Sequence, residues 1–268
     1  VKQVKIAVSG KGGVGKTTVA ALISKAFLEK GLRVLAIDAD PNPNLAILLG
    51  VPLNEAEKIV PISENSALIE EKTGVKPESY GSIFRISFRV DDIVHRFGVR
   101  TPSGVDLIVM GAVRSAGQGC MCPANALIRA LLRYLLMQSG EVAVVDMEAG
   151  IEHLGRGTVE HVDVMLVVTE PSLRSLETAR RVSRLAEEIG IKHVFLVGNR
   201  VTGEEAKIVE EYSERIHVPL LGLIPFDDNL RILDTLGEKS LASFPSSPGA
   251  EEVKRISEAL LESEKSAS

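Results

Sequence analysis

The sequence predicts an α/β fold, a three-layer arrangement in which a mainly parallel central sheet carries helices on both faces, and three observations lead there. Apolar runs of strand length alternate with segments whose apolar residues recur at helical spacing along most of the chain. Several of those runs, such as 105–109 (VDLIV) and 164–168 (VMLVV), are apolar almost throughout, as strands covered on both faces must be. A glycine-rich tract joins the first run to the first helical pattern, at the carboxyl end of a strand where such sheets gather their ligands.

Residues 4–8 read as the first buried strand and 17–29 as the first helix, with Val19, Leu22, Ile23, Ala26 and Phe27 along one side. Between them, Gly10 and Gly15 bracket four residues ahead of Lys16 and Thr17. That is the spacing of a loop whose backbone N–H groups wrap a nucleotide's phosphates, with Lys16 on the β- and γ-phosphates and the Thr17 hydroxyl on Mg²⁺. Gly12, Gly13, Val14, Gly15, Lys16, Thr17 and Thr18 are therefore the expected cradle of a P-loop NTPase. A plain glycine turn would not require this setting between strand and helix. Lys11 is additional to the pattern, and a loop this tight leaves its side chain little room to reach its own γ-phosphate.

Residues 33–37 form the second strand, followed by Asp38-Ala39-Asp40-Pro41-Asn42-Pro43-Asn44, where two prolines delay the next helix. Residues 51–104 are the least regular part, with Pro52, Pro61, Pro77 and Pro102 and a candidate hairpin around 82–94. They read as an insertion within one domain spanning 1–268. Strands at 105–109, 142–146, 162–168, 193–198 and 220–224 then alternate with helices at 124–137, 173–189 and 204–216. A last amphipathic helix over 250–261 carries Val253, Ile256, Ala259, Leu260 and Leu261, and is expected to pack on the domain. It lacks the basic, bulky character of a membrane-surface helix.

With 268 residues and 45% hydrophobic content, the chain can bury a full core. Its net charge is −5 and no Lys/Arg run stands out, so neither nucleic acid nor membrane is an expected partner. No leader-like segment and no apolar stretch near the roughly 20 residues that span a bilayer are seen, which leads to an expected cytoplasmic location. The two cysteines, Cys120 and Cys122, are one residue apart, poorly placed for a disulfide in a reducing compartment.

The chemistry gathers at strand ends. Asp146 closes the apolar run 142–146 and is the expected Mg²⁺ carboxylate. Gly150 lies four residues on, so 148–156 is a candidate γ-phosphate switch. Asp38 and Asp40 share one side of an extended chain; Asp38 is assigned to the Mg²⁺ shell and Asp40 to the attacking water, an assignment that can be exchanged. Asn199-Arg200 follows a strand without the carboxylate a guanine would need at Thr202, which favours adenine. Asn199, Arg200, Pro225, Phe226 and Asp227 form the expected base pocket, although an asparagine after a strand also serves purely structural ends.

Cys122 stands just ahead of the helix over 124–137, where the helix dipole favours the metal-binding thiolate. Two thiolates are too few for a closed soft-metal site, since Ni²⁺ held by sulfur, or Zn²⁺ in its place, takes about four ligands; a two-fold dimer would supply them as two copies of Cys120 and Cys122. Inert packing of both thiols remains open.

The double-lysine loop from Lys11 to Thr18, Asp38-Ala39-Asp40 and the segment from Asp146 to Gly150 resemble the MinD/ParA group of deviant-Walker ATPases. The resemblance covers most of the chain outside the insertion. It implies ATP hydrolysis to ADP in a sandwich homodimer in which Lys11 crosses to the partner subunit's nucleotide, making Lys11 catalytic beside Lys16 and Asp40. Within that group, Cys120-Met121-Cys122 and the segment from Asp146 to Gly157 look like the CooC-type accessory ATPases, which are associated with nickel insertion into carbon monoxide dehydrogenase. The resemblance thus implies a metallochaperone with that client metalloenzyme as partner. Two other readings stand beside it: a positioning or partition ATPase, for which the expected basic surface is missing, and an iron–sulfur carrier or reductase, for which the segment 146–157 lacks a cysteine. His153 is a further candidate ligand or a hydrogen-bonded switch residue.

Overall fold

The structure, a computed structural model, describes residues 4–76, 91–111, 123–138, 142–148, 161–236 and 246–266. Among the described residues, eight strands form one sheet in the order β3-β4-β2-β5-β1-β6-β7-β8. These are β1 (Val4–Gly10), β2 (Val34–Ala39), β3 (Val99–Arg100), β4 (Asp106–Val109), β5 (Val142–Met147), β6 (Val164–Thr169), β7 (His193–Val201) and β8 (Leu220–Pro225). All neighbours pair in parallel except the two-residue β3, which runs antiparallel to β4 at the edge. The α/β class with a mainly parallel sheet is the one the alternating pattern predicts.

Two apolar layers flank the sheet. On one face, α1 (Lys16–Glu29) buries Val19, Leu22, Ile23, Ala26 and Phe27, and the C-terminal helix Pro248–Ser266 packs through Val253, Ile256 and Leu260 against β8 and α1. On the other, helix Pro123–Gln138 contributes Leu127, Leu131, Leu132, Leu135 and Leu136, and helix Leu173–Ile189 adds Ala179, Val182 and Ala186. The strands are covered on both sides, so their alternate residues are equally apolar: β5 and β6 are buried at each position.

Around residues 51–104 the chain makes short helices at Leu45–Leu48, Leu53–Ala56 and Ser66–Thr73 and a 3₁₀ turn at Ile62–Glu64. The expected hairpin over 82–94 is corrected at its end. Asp91–Phe97 is a helix, with two aspartates in the first turn where the helix dipole favours negative charge, and residues 77–90 lie outside the described residues. Helix Asp228–Leu236 was not expected from the sequence; Asp227 starts it by accepting the Asn229 N–H at 2.9 Å.

Candidate functional site

The sheet directs the carboxyl ends of β1, β2, β5, β6, β7 and β8 toward one rim, and the candidate residues sit there. Gly10 ends β1 with φ +147°, and a Cβ on it would lie 2.2 Å from the Val168 carbonyl oxygen. Only glycine lets β1 run this close to β6 as it turns into the loop. Gly13 and Gly15 then take φ +83° and +89°, and helix α1 begins at Lys16. The loop is therefore a turn of positive-φ glycines feeding a helix N-terminus, the geometry that presents backbone N–H groups to an anion.

Inside the loop, one carbonyl collects the donors a phosphate would attract. The Lys11 C=O accepts from the Val14 N–H and from Lys16 Nζ, both at 3.4 Å, long and weak contacts that leave each donor ready for a better acceptor. Lys16 is buried, whereas Gly12 and Gly13 are exposed. The Lys11 side chain has no hydrogen-bond or ion-pair partner among the described residues. A cleft of about 310 Å³ opens beside Gly13, Gly15, Lys16, Thr17 and Thr18.

Asp146 and Asp38 stand in register on adjacent strands, β5 and β2, and Asp146 is also in register with Val8 of β1. Both carboxylates are fully buried. Asp38 is satisfied by backbone: one oxygen accepts the Asp40 N–H at 3.2 Å and the other the Leu45 N–H at 2.9 Å. Burial still raises its pKa to about 6. Asp146 is pushed further, to about 8, by burial first and then by the Asp38 charge; Thr17 and Lys16 pull it back only in part. Among the described residues, neither Asp146 oxygen has a properly formed hydrogen bond. Two unpaired acceptors in a buried place beside a lysine and a threonine hydroxyl fit a hard cation. Among the described residues, no group of three or more His, Cys, Asp or Glu side chains forms a metal cage, so an ion here would draw its remaining ligands from water and phosphate, as Mg²⁺ does.

Asp40 lies past the strand end, half-buried, with Oδ1 accepting the Asn42 N–H at 2.8 Å. Asp38 and Asp40 thus play different structural parts, one locked beneath the site and one at its rim. Glu148 adds its carbonyl as acceptor for the Ser9 hydroxyl at 3.2 Å. Cys120, Cys122, Gly150 and His153 lie outside the described residues.

With this geometry in place, residues 5–239 match the CobQ/CobB/MinD/ParA nucleotide binding domain. The chain belongs to the CobQ/CobB/MinD/ParA nucleotide-binding family. It is 44% identical over 234 residues to the carbon monoxide dehydrogenase accessory protein CooC of Rhodospirillum rubrum, covering 87% of this chain and 88% of that protein. An uncharacterized ATP-binding protein of Methanocaldococcus jannaschii is 43% identical over 235 residues, covering 87% and 90%. The septum site-determining protein MinD of Pyrococcus horikoshii, solved with Mg-ADP, shares the fold at TM-score 0.66 and 22% identity, covering 97% of this chain and 96% of its own.

On this CobQ/CobB/MinD/ParA scaffold, the residues expected to form the base pocket do come together. Asn199, Arg200, Pro225, Phe226 and Asp227 line one groove with Thr18 and Leu22. Their polar atoms are already engaged, however. Asn199 Nδ2 donates to the Val14 carbonyl at 2.7 Å, and Arg200 donates to the Gly13 carbonyl at 3.0 Å. The Asp227 carboxylate accepts the Asn229 and Gly249 N–H groups, both at 2.9 Å, tying together the starts of two helices. The groove retains about 20 Å³, room for a water and not for a purine, and a base would fit it only if its walls moved. Phe226, 49% exposed, is the wall best placed to do so.

Glu170 was missed from the sequence. It follows β6 directly and bonds Arg200 at 2.9 Å. A charged residue at the carboxyl end of an apolar parallel strand was the available signal.

Proposed function

We propose that this chain is an ATPase that binds MgATP on the loop from Lys11 to Thr18, closes on it as a homodimer, and carries Ni²⁺ as cargo to a client metalloenzyme. The observation that carries the nucleotide half is Asp146, whose two buried oxygens have no proper partner beside Lys16 and Thr17. The metal half rests on the 44% likeness to a carbon monoxide dehydrogenase accessory protein over most of both chains. Carbon monoxide dehydrogenase is accordingly the proposed client. The 22% likeness to MinD speaks for the fold and leaves a positioning role without separate support.

The proposed steps follow from this chain's own groups. On nucleotide entry, Lys16 Nζ leaves the Lys11 carbonyl for phosphate oxygens, and the Val14 N–H, without turning, exchanges its long contact to that carbonyl for a short charge-assisted one to phosphate. The Thr17 hydroxyl and Asp146 would hold Mg²⁺, with Asp38 behind, and the ion would supply charge neutralisation for the phosphates. Asp146 must give up its proton to do so, because a protonated carboxyl offers one acceptor fewer. Asp40 keeps one oxygen without a backbone partner among the described residues and orients the attacking water. Lys11, whose side chain has no partner among the described residues, reaches the partner subunit's γ-phosphate. Closure brings two copies of Cys120 and Cys122 together as a four-thiolate site for Ni²⁺, with Zn²⁺ able to take its place.

The test is metal stoichiometry per chain by equilibrium dialysis, with oligomeric state by light scattering, in the presence and absence of MgATP. One Ni²⁺ per nucleotide-bound dimer is expected, lost in the double variant Cys120→Ser/Cys122→Ser. Unchanged metal content in that variant removes the chaperone reading, and absence of ATP-dependent turnover in the intact protein removes the ATPase reading.

A further inference from the structure

The phosphate loop is steadied from outside itself. Arg200 has φ +56°, a left-handed conformation that costs a non-glycine residue strain, and it is one of two such residues in the described chain. This backbone turn lets one guanidinium nitrogen, Nη1, donate both to the Gly13 carbonyl at 3.0 Å and to Glu170 Oε1 at 2.9 Å. Glu170 is itself anchored: its N–H donates to Ser175 Oγ at 3.0 Å, and its carbonyl accepts from Thr169 Oγ1 at 3.1 Å. Thr169 and Ser175 are buried and their hydroxyls are 2.9 Å apart, so this anchor belongs to the core and not to the surface.

The carbonyl that Arg200 holds matters because a peptide unit is planar and trans, with C=O and N–H pointing opposite ways. Fixing the Gly13 C=O therefore fixes the direction of the Val14 N–H, and the Asn199 bond to the Val14 C=O does the same for the Gly15 N–H. These are two of the amides a phosphate would meet.

We propose that Glu170 is a positioning residue for the phosphate loop, holding Arg200 so that its guanidinium fixes the Gly13 carbonyl and aims the Val14 N–H at the bound phosphates. The inference rests on the nucleotide-binding part of the function proposed above and is independent of nickel. As an ion pair, the Glu170–Arg200 bridge is weak, since the side chains are 31% and 40% exposed. Its contribution lies in geometry.

Geometry and simple charge predict opposite signs. Glu170 is an anion near the phosphate cleft, so if it acted only through its field, both Glu170→Ala and Glu170→Gln would bind nucleotide more tightly. A positioning role predicts that Glu170→Ala weakens binding of MgADP and MgATP by about fivefold, whereas Glu170→Gln, which keeps an acceptor for Arg200, restores most of the loss. In an Arg200→Ala background, Glu170→Ala should add nothing further. The measurement is direct titration of fluorescent ADP and ATP analogues into each variant, with thermal melting of the nucleotide-free proteins alongside. Tighter binding in both single variants, or a Glu170→Ala loss that persists undiminished without Arg200, overturns the proposal. If the unaltered protein binds no nucleotide, the parent reading fails; if it binds and Glu170→Ala binds equally well, only this inference does.

Discussion

The phosphate loop and the carboxylates on the neighbouring strands meet at the same rim but treat their polar groups differently. In the loop, the carbonyls of Lys11, Gly13 and Val14 all accept hydrogen bonds from this chain, and the long contacts to Lys11 involve the groups a phosphate would recruit. At Asp146, burial is complete and neither oxygen has a properly formed hydrogen bond among the described residues. The donor half of the site is finished by the protein, while the acceptor half is left to a cation. Such a half carries a folding cost until the ion arrives, since an unpaired buried carboxylate is expensive unless protonated.

The largest break in this comparison is Lys16→Ala. It removes the charged donor from the finished half, and nucleotide turnover should fall at least about a hundredfold with little change in the melting temperature of the empty protein. Asp146→Asn should match it in lost Mg²⁺-dependent turnover but move stability the other way. A neutral amide in place of a frustrated carboxyl should stabilise the nucleotide-free protein by roughly 1–3 kcal/mol, read by denaturant unfolding at pH 8. Loss of turnover without a stability gain would show that Asp146 is better satisfied than its surroundings indicate.

Proton linkage sharpens the same contrast with a smaller effect. Burial raises Asp38 to about 6, and burial with the Asp38 charge raises Asp146 to about 8, both above the value of about 3.9 expected in the unfolded chain. The folded protein therefore binds protons that the unfolded chain releases. Stability from this source is complete below about pH 4 and is lost as pH rises through about 6 and then about 8. The empty protein should melt about 3–6 °C lower at pH 9 than at pH 5, and saturating MgADP or Asp146→Asn should flatten the slope. A Mg²⁺ affinity that failed to rise with pH over this interval would contradict displacement of a proton by the ion.

The same division explains what the sequence made legible. The loop, its helix and Asp146 follow from local spacing: glycines where φ is positive, a lysine and threonine at the helix start, a carboxylate closing an apolar strand. The pairing of Asp38 with Asp146 needed the strand order, because β2 and β5 are far apart in the chain yet adjacent in the sheet. Glu170 escaped for a similar reason. Its partner lies 30 residues on, and its use depends on a left-handed turn at Arg200 that no pattern of residue types announces. The hairpin expected over 82–94 fails in its described part because Asp91 and Asp92 favour a helix start over a continuing strand.

The smallest effects belong to the base groove, where the comparison becomes one between two adjacent residues. Asp227 and Phe226 both line it, but Asp227 spends its carboxylate on the Asn229 and Gly249 N–H groups, while Phe226 is exposed and anchored through its backbone N–H to the Val201 carbonyl at 3.0 Å. Asp227→Ala should therefore act on the fold, uncapping the helix Asp228–Leu236 and loosening the start of Pro248–Ser266, at a cost of about 1–2 kcal/mol. Its preference between adenine and guanine nucleotides should stay as it was. Phe226→Ala should cost little stability, because about half of the residue is already exposed, and weaken ATP analogue binding by about threefold through loss of a stacking wall. Competition titrations with ATP and GTP, beside thermal melts of both variants, separate the two. A base preference that shifted in Asp227→Ala at constant stability would return that carboxylate to the nucleotide and leave the helix starts to be held by other groups.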